Sequence, residues 1–226
     1  MPRSVRAVGA ARRLNRGPIR TPRYDARVLI PLQRLLDRAR QPRSRADEVA
    51  DVRTRVAAAR RAHASEGTSP ERDAARALAI DLVRQRREVS AAIGDVRACS
   101  GCARGRPLPE GRWSGGQCCS APTVEIFTDD EVRALALAGT TPARLVAPSG
   151  DHAGCAFRGE DGCSLDVADR PSLCVRYVCR ELERELTARG DVRGVKALAS
   201  ELGKTFARFA RVATATERAE RLSSEP

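Results

Sequence analysis

Apolar residues recur at helical spacing along most of the chain, and the interruptions mark the turns. Val28, Leu32, Leu35, Leu36 and Ala39 form a short amphipathic stretch that Pro42 stops. Ser44 stands three residues before Asp47, a capping arrangement for a new helix with a seam at Val49, Val52, Val56, Ala59 and His63. Residues 66–70 break that pattern. Ser69-Pro70-Glu71 restarts it with a cap residue, a proline suited to the first turn and an acid near the positive helix end. The second seam runs through Ala75, Leu78, Leu82, Gln85, Val89, Ala92 and Val96. Two helices of about 20 residues joined by a short loop predict an antiparallel helical hairpin over 46–97.

Helical periodicity is lost over most of 98–180. Thr123-Val124-Glu125-Ile126-Phe127 reads as a short strand, and Thr128-Asp129-Asp130-Glu131 as a capping box opening a helix through Val132, Leu135 and Ala138. Asp129, Asp130 and Glu131 resemble a catalytic or metal cluster on paper. First-turn acids facing a helix dipole are the commoner explanation. Beyond Arg170-Pro171 the pattern turns helical again at Leu173, Val175, Tyr177, Val178, Leu182 and Leu186, with Gly190 as the stop. A last amphipathic helix places Val195, Leu198, Leu202, Phe206 and Phe209 on one side, and the polar chain from about Thr214 is expected to fray. The expected fold is mostly α around a small, irregular, cysteine-rich metal-binding core holding a short strand or strands. A basic, partly disordered arm occupies 1–45, the helical hairpin 46–97, the cysteine cluster 98–180 and a C-terminal helical segment 181–226.

Composition sharpens this picture. Of 226 residues, 42% are hydrophobic, enough to exclude wholesale disorder. No run approaches the roughly 18–20 apolar residues that cross a bilayer, so a membrane partner is not expected. The basic N-terminus lacks the apolar stretch of a secretory signal, which makes the reducing cytoplasm the expected location. Net charge is +12, and residues 1–45 alone carry 13 Arg against two acids, Asp25 and Asp37. Such an arm is a candidate contact for nucleic acid, because phosphate neutralisation is sequence-independent. Against this, Tyr24 is its one aromatic, and Arg supplies 39 of the 41 basic residues throughout the chain. The arm therefore reads first as a solvated tail.

The main chemical signal is cysteine. Cys99, Cys102, Cys118, Cys119, Cys155, Cys163, Cys174 and Cys179 all fall within 81 residues. That density belongs to disulfide scaffolds or metal-clustered domains, and without an export signal the thiolate–metal reading is the one left. The same stretch holds 10 of the 17 glycines and only 17 large apolar residues, so coordination is expected to dominate its stability. Cys99-Ser100-Gly101-Cys102 is a single C-x2-C knuckle, whereas zinc ribbons usually show two. The adjacent pair Cys118-Cys119 suits two centres or one polynuclear cluster better than one tetrahedral ion. Five helical steps leave Cys174 and Cys179 roughly 140° apart, so either the helix begins after Cys174 or the two serve different ligand sets. Eight thiolates fill two four-Cys zinc sites or support an iron–sulfur cluster with others to spare. His152 is the one further ligand candidate, while His63 at a seam position reads as packing. Arg170 is a candidate to hydrogen-bond a sulfur or a carbonyl.

Several strings together carry a family resemblance. Cys118-Cys119, the Val124-Glu125-Ile126-Phe127-Thr128 run and Glu131 precede Gly154-Cys155, Asp161-Gly162-Cys163-Ser164-Leu165 and Arg170-Pro171-Ser172-Leu173-Cys174-Val175-Arg176-Tyr177-Val178-Cys179. Over 99–180 the chain resembles the YkgJ-type cysteine-cluster family, described as zinc- or iron-chelating and including flagellin lysine N-methylase. It departs from that family's C-x2-C-x2-CC spacing, since 15 residues separate Cys102 from Cys118. The resemblance implies metal chelation by all eight cysteines, with Zn2+ or an iron–sulfur cluster as cofactor. The leading expectation is thus a metal-binding cysteine-cluster protein. The alternatives are an Fe–S-dependent protein lysine methyltransferase-like enzyme and a scaffold that docks on nucleic acid through its arm; an unidentified protein partner is a separate candidate. No Gly-rich cofactor loop and no nucleophile–base pair favours the enzyme.

Overall fold

The computed structural model describes residues 44–65, 69–97, 122–148, 155–159 and 162–224, with side chains to residue 215. The Val28–Ala39 stretch, nearly all of the basic arm, Cys99, Cys102, Cys118, Cys119 and His152 lie outside the described residues. The described chain is mainly helical: α1 (Arg45–Ser65), α2 (Pro70–Ile93), α3 (Thr123–Ile126), α4 (Asp129–Leu137), α5 (Ser172–Arg176), α6 (Arg180–Arg189) and α7 (Val192–Ser224). Two-residue strands β1 (Arg158–Gly159) and β2 (Gly162–Cys163) pair antiparallel, with Arg158 opposite Cys163. Single 3-10 turns cover Pro142–Arg144 and Val167–Asp169.

The caps form where the sequence places them. Ser44 Oγ accepts the Asp47 N–H at 3.1 Å and the Asp47 carboxylate accepts the Ser44 N–H at 3.2 Å, a reciprocal box. Ser69 Oγ caps α2 through the Arg72 N–H, and Thr128 Oγ1 caps α4 through the Glu131 N–H. At the other end of α6, Gly190 adopts φ +83°. There the Gly190 N–H bonds to the Thr187 carbonyl and the Asp191 N–H to the Leu186 carbonyl, a Schellman stop. An added Cβ at Gly190 meets nothing within 4 Å, so Gly190→Ala should cost only the left-handed backbone strain of about 1–2 kcal/mol. Thermal unfolding should show a fall of roughly 2–4 °C per kcal/mol.

Four expectations need correction. First, α1 and α2 do not zip together along their seams. Val49, Val52 and Val56 of α1 enter a cluster with Ile126, Phe127, Val132, Leu135, Leu145, Cys155, Ala156, Phe157 and Leu165. Ala75, Ala79, Leu82 and Val89 of α2 instead meet Ala134, Val175, Leu202, Phe209 and Ala213. Small Val and Ala side chains make a thin mutual contact, and each seam finds larger partners elsewhere. The main helix pair among the described residues is α2 with α7, joined also by a 2.8 Å bond from Gln85 Nε2 to Thr205 Oγ1. Arg45, Arg53 and Arg60 of α1 fasten it to the following segments by donating to the carbonyls of Pro148, Leu145 and Thr140.

Second, Thr123–Ile126 is a helical turn rather than a strand. A strand would send Ile126 and Phe127 to opposite faces, yet both are buried in one cluster while Val124 is exposed. The short strands of the core are β1 and β2 instead. Third, the run after Pro171 is two helices: it breaks at Tyr177–Cys179, with Tyr177 extended at φ −80°, ψ 111°. Fourth, α7 continues to Ser224 beyond the polar switch at Thr214.

A third cluster gathers Cys179, Leu182, Leu186 and Val195, with Ala92, Ile93, Val96 and Tyr177 against it. Each cluster thus draws on more than one of the sequence segments, so residues 122–176 borrow their apolar partners from the flanking helices. No helix among the described residues is long and apolar enough to cross a membrane.

Candidate metal centre and its buried ionic support

Two of the described cysteines share a neighbourhood. Cys155 is buried in the cluster of Phe127 and Phe157, whose rings lie 5.2 Å apart, and Cys174 of α5 packs against the same cluster. The Cys155 carbonyl accepts the Arg158 N–H at 3.0 Å, which turns the chain into the β1–β2 hairpin. Gly162 takes φ +118° in that hairpin, a value open to glycine, and delivers Cys163 opposite Arg158. Cys179 lies apart in the third cluster.

The sulfur environments are polar in a specific way. The Arg170 guanidinium stands within electrostatic reach of the Cys163 sulfur. Arg170 Nε donates to the Leu165 carbonyl at 3.0 Å. Cys163 is exposed by area, yet desolvation by the surrounding chain pushes its thiol pKa up, against the lowering pull of Arg170. Cys179 is the N-cap of α6 and its Sγ accepts the Leu182 N–H at 3.4 Å. A helix N-terminus favours the thiolate form.

The Cys179 sulfur, which receives an N–H donor, matches the donor chemistry of zinc and iron–sulfur ligands, whose charge is tuned by such bonds. Among the described residues, however, no three His, Cys, Asp or Glu side chains gather as a group that could hold a metal ion. Cys155, Cys163, Cys174 and Cys179 therefore do not make a four-thiolate site by themselves. The other four cysteines, and His152, fall outside the described residues. His63 ends α1 as a half-buried residue in its last turn.

Sequence reasoning missed the polar centre of the fold. Glu131 does not face solvent as a first-turn acid: it is 3% exposed, and its Oε2 lies 3.4 Å from Nη2 of Arg86, which is 0% exposed. Arg86 Nη2 also donates to Ser172 Oγ at 3.0 Å, and Nη1 to the Ala168 carbonyl at 3.1 Å. Glu131 Oε1 accepts the Leu173 N–H, and Oε2 accepts the Ser172 hydroxyl. Beside this pair, buried Asp169 accepts the Thr140 hydroxyl at 2.7 Å and pairs with Arg144 at 2.8 Å. Burial pushes the Glu131 carboxyl pKa up, opposed chiefly by Arg86. Burial likewise pushes Arg86 down, while Glu131, Cys174 and Asp169 pull it up. Asp129 does behave as an exposed helix-start acid, bridged to Arg55 at 2.7 Å. A signal for the pair did exist: Arg86 is four residues after Leu82 and three before Val89, on the apolar stripe of α2.

Comparison with protein-family profiles, curated proteins and solved structures finds no match to this chain.

Proposed function

We propose that the chain is a thiolate metal-binding protein in which Cys99, Cys102, Cys118, Cys119, Cys155, Cys163, Cys174 and Cys179 hold zinc or an iron–sulfur cluster, in the manner of the YkgJ-type family. The observation that carries the reading is the sulfur of Cys179, which caps α6 and accepts the Leu182 N–H at 3.4 Å. A buried neutral thiol gains little from such a donor, whereas a metal-bound thiolate needs it to spread its charge.

The anchoring of the segment between Ala98 and Ala121 supports two ligand groups. On one side, the Arg97 N–H donates to Glu185 of α6 at 2.9 Å, and Val96 packs on the cluster that holds Cys179. Cys99 follows Arg97 by two residues, a reach of about 7 Å. On the other side, Thr123 Oγ1 accepts the Ala156 N–H at 2.9 Å, next to Cys155. Cys119 precedes Thr123 by four residues, a reach of about 14 Å. We therefore place Cys155 and Cys174 in one ligand set and Cys179 in another.

Elemental analysis and visible spectra of anaerobically purified Cys→Ser variants test this. Cys155→Ser and Cys174→Ser should lower metal content of one centre and Cys179→Ser that of the other, while Cys163→Ser should lower total metal content. Unchanged stoichiometry in all four variants overturns the proposal.

A further inference from the structure

The apolar stripe of α2 is close to a repeating pattern. Ala75, Ala79, Leu82, Arg86, Val89 and Ile93 follow one another at steps of four, three, four, three and four, the spacing of a coiled-coil seam. A repeating stripe carries little information about alignment, because a shift by seven residues, about 10.5 Å, brings apolar side chains back over apolar side chains. Small side chains add little shape to correct this: Ala75, Ala79 and Val89 share their cluster with Ala134 of α4 and Val175 of α5. Arg86 is the one charged residue of the series, and it is fully buried.

Facing the stripe is a layer of three short pieces: α4, the 3-10 turn Val167–Asp169 and α5, each in contact with α2. The layer stands between two apolar clusters. Val132, Leu135 and Cys174 belong to the first, whereas Ala134, Val167 and Val175 belong to the second. Arg86 makes a polar contact with every piece. Its Nη2 meets Glu131 of α4 and donates to Ser172 Oγ of α5, while Nη1 donates to the Ala168 carbonyl of the turn. Glu131 joins α4 to α5 by accepting the Leu173 N–H and the Ser172 hydroxyl. A rigid guanidinium fork meets all these acceptors at once in one alignment only.

We infer that the Arg86–Glu131 pair is a register lock: it selects one alignment of α2 against the α4–α5 layer from those the apolar stripe would tolerate. Removing two charges from water is costly, and well-packed apolar residues of similar size often serve stability as well. Alignment is the return on that cost. A single polar residue in an apolar coiled-coil seam fixes alignment for the same reason, since every other alignment buries it without its partner. Here a slip of α2 by one turn, about 5.4 Å, would leave Arg86 and Glu131 as separate buried ions. The inference is independent of bound metal.

The test separates alignment from stability. Amide magnetic-resonance spectra and thermal unfolding of the full chain are recorded for wild type, Arg86→Met/Glu131→Leu and Leu82→Ala. The double variant keeps a filled interior and should melt within about 5 °C of wild type. Its amides over Asp129–Leu137 and Ser172–Arg176 should nevertheless show a second set of resonances or exchange broadening, as more than one alignment becomes populated. Leu82→Ala opens a cavity in the same stripe and leaves the pair intact. It should melt at a lower temperature than the double variant and keep a single set of resonances. A single sharp set in the double variant overturns the lock. Equal multiplicity in Leu82→Ala also overturns it, because loosened packing alone would then be the cause. A double variant that does not fold overturns it as well, by showing that the pair supplies stability rather than alignment.

Discussion

Glu131→Leu alone is expected to lower stability by about 3–5 kcal/mol, because it leaves the Arg86 guanidinium buried without its carboxylate. Arg86 would keep the Ser172 hydroxyl and the Ala168 carbonyl, neutral acceptors that cannot balance a charge in a dry site. The same reasoning gives the opposite expectation for the pair removed together. Arg86→Met/Glu131→Leu should regain most of that loss, since two ions no longer have to leave water. It should not regain all, because the Leu173 N–H and the Ala168 carbonyl lose their partners. Denaturant unfolding of the two single variants and the double variant measures the coupling directly. Additive losses would contradict an energetic link between Arg86 and Glu131.

Phe157→Ala is expected to cost a similar amount, about 3–5 kcal/mol, by removal of transfer energy and creation of a cavity. Phe157 is fully buried, faces Phe127, and sits two residues after Cys155. Its carbonyl accepts the Ser164 N–H at 2.9 Å and the Ser164 hydroxyl at 3.1 Å, so its backbone closes the hairpin that presents Cys163. The truncation should therefore loosen the hairpin as well as the cluster. Hydrogen exchange should rise at Ser164 and Arg158 while α2 and α7, which belong to a separate cluster, keep their protection. Uniform deprotection of α2 and α7 would contradict the separation of the clusters.

Local signals in the chain were easy to read where one residue does one job. Ser44, Ser69 and Thr128 cap the helices they precede, and Gly190 stops α6, because each acts through its own backbone or a neighbour three residues away. The amphipathic stripe of α7 likewise follows from its spacing. What periodicity does not reveal is which seam meets which. The α1 and α2 stripes look like mutual partners on paper, but Val49 and Val52 find Phe127 and Phe157, and Leu82 finds Leu202 and Phe209. The Thr123–Phe127 run looks like a strand because Thr, Val, Ile and Phe favour extended chain. Burial of the adjacent Ile126 and Phe127 in one cluster overrides that preference. Glu131 carried two compatible meanings, a first-turn acid and an ion-pair partner 45 residues from Arg86; the place of Arg86 on the α2 stripe marks a buried cation but not which acid meets it.

The candidate site was legible in its atoms and opaque in its grouping. Eight cysteines in 81 residues are plain in the sequence, and Arg170 donates to the Leu165 carbonyl. The break at Tyr177–Cys179 was hidden, since the apolar spacing of Leu173, Val175, Val178 and Leu182 suits one continuous helix. That break turns Cys179 from a helix-face residue into the cap of α6, and so moves it to a different cluster from Cys174.

Metal content of the native full-length chain, isolated without oxygen and without added metal, tests the central claim most directly. Elemental analysis with visible and paramagnetic-resonance spectra should find thiolate-bound zinc or iron in stoichiometric amount. Protein that is colourless, free of zinc and iron, and fully reactive at all eight thiols would contradict it.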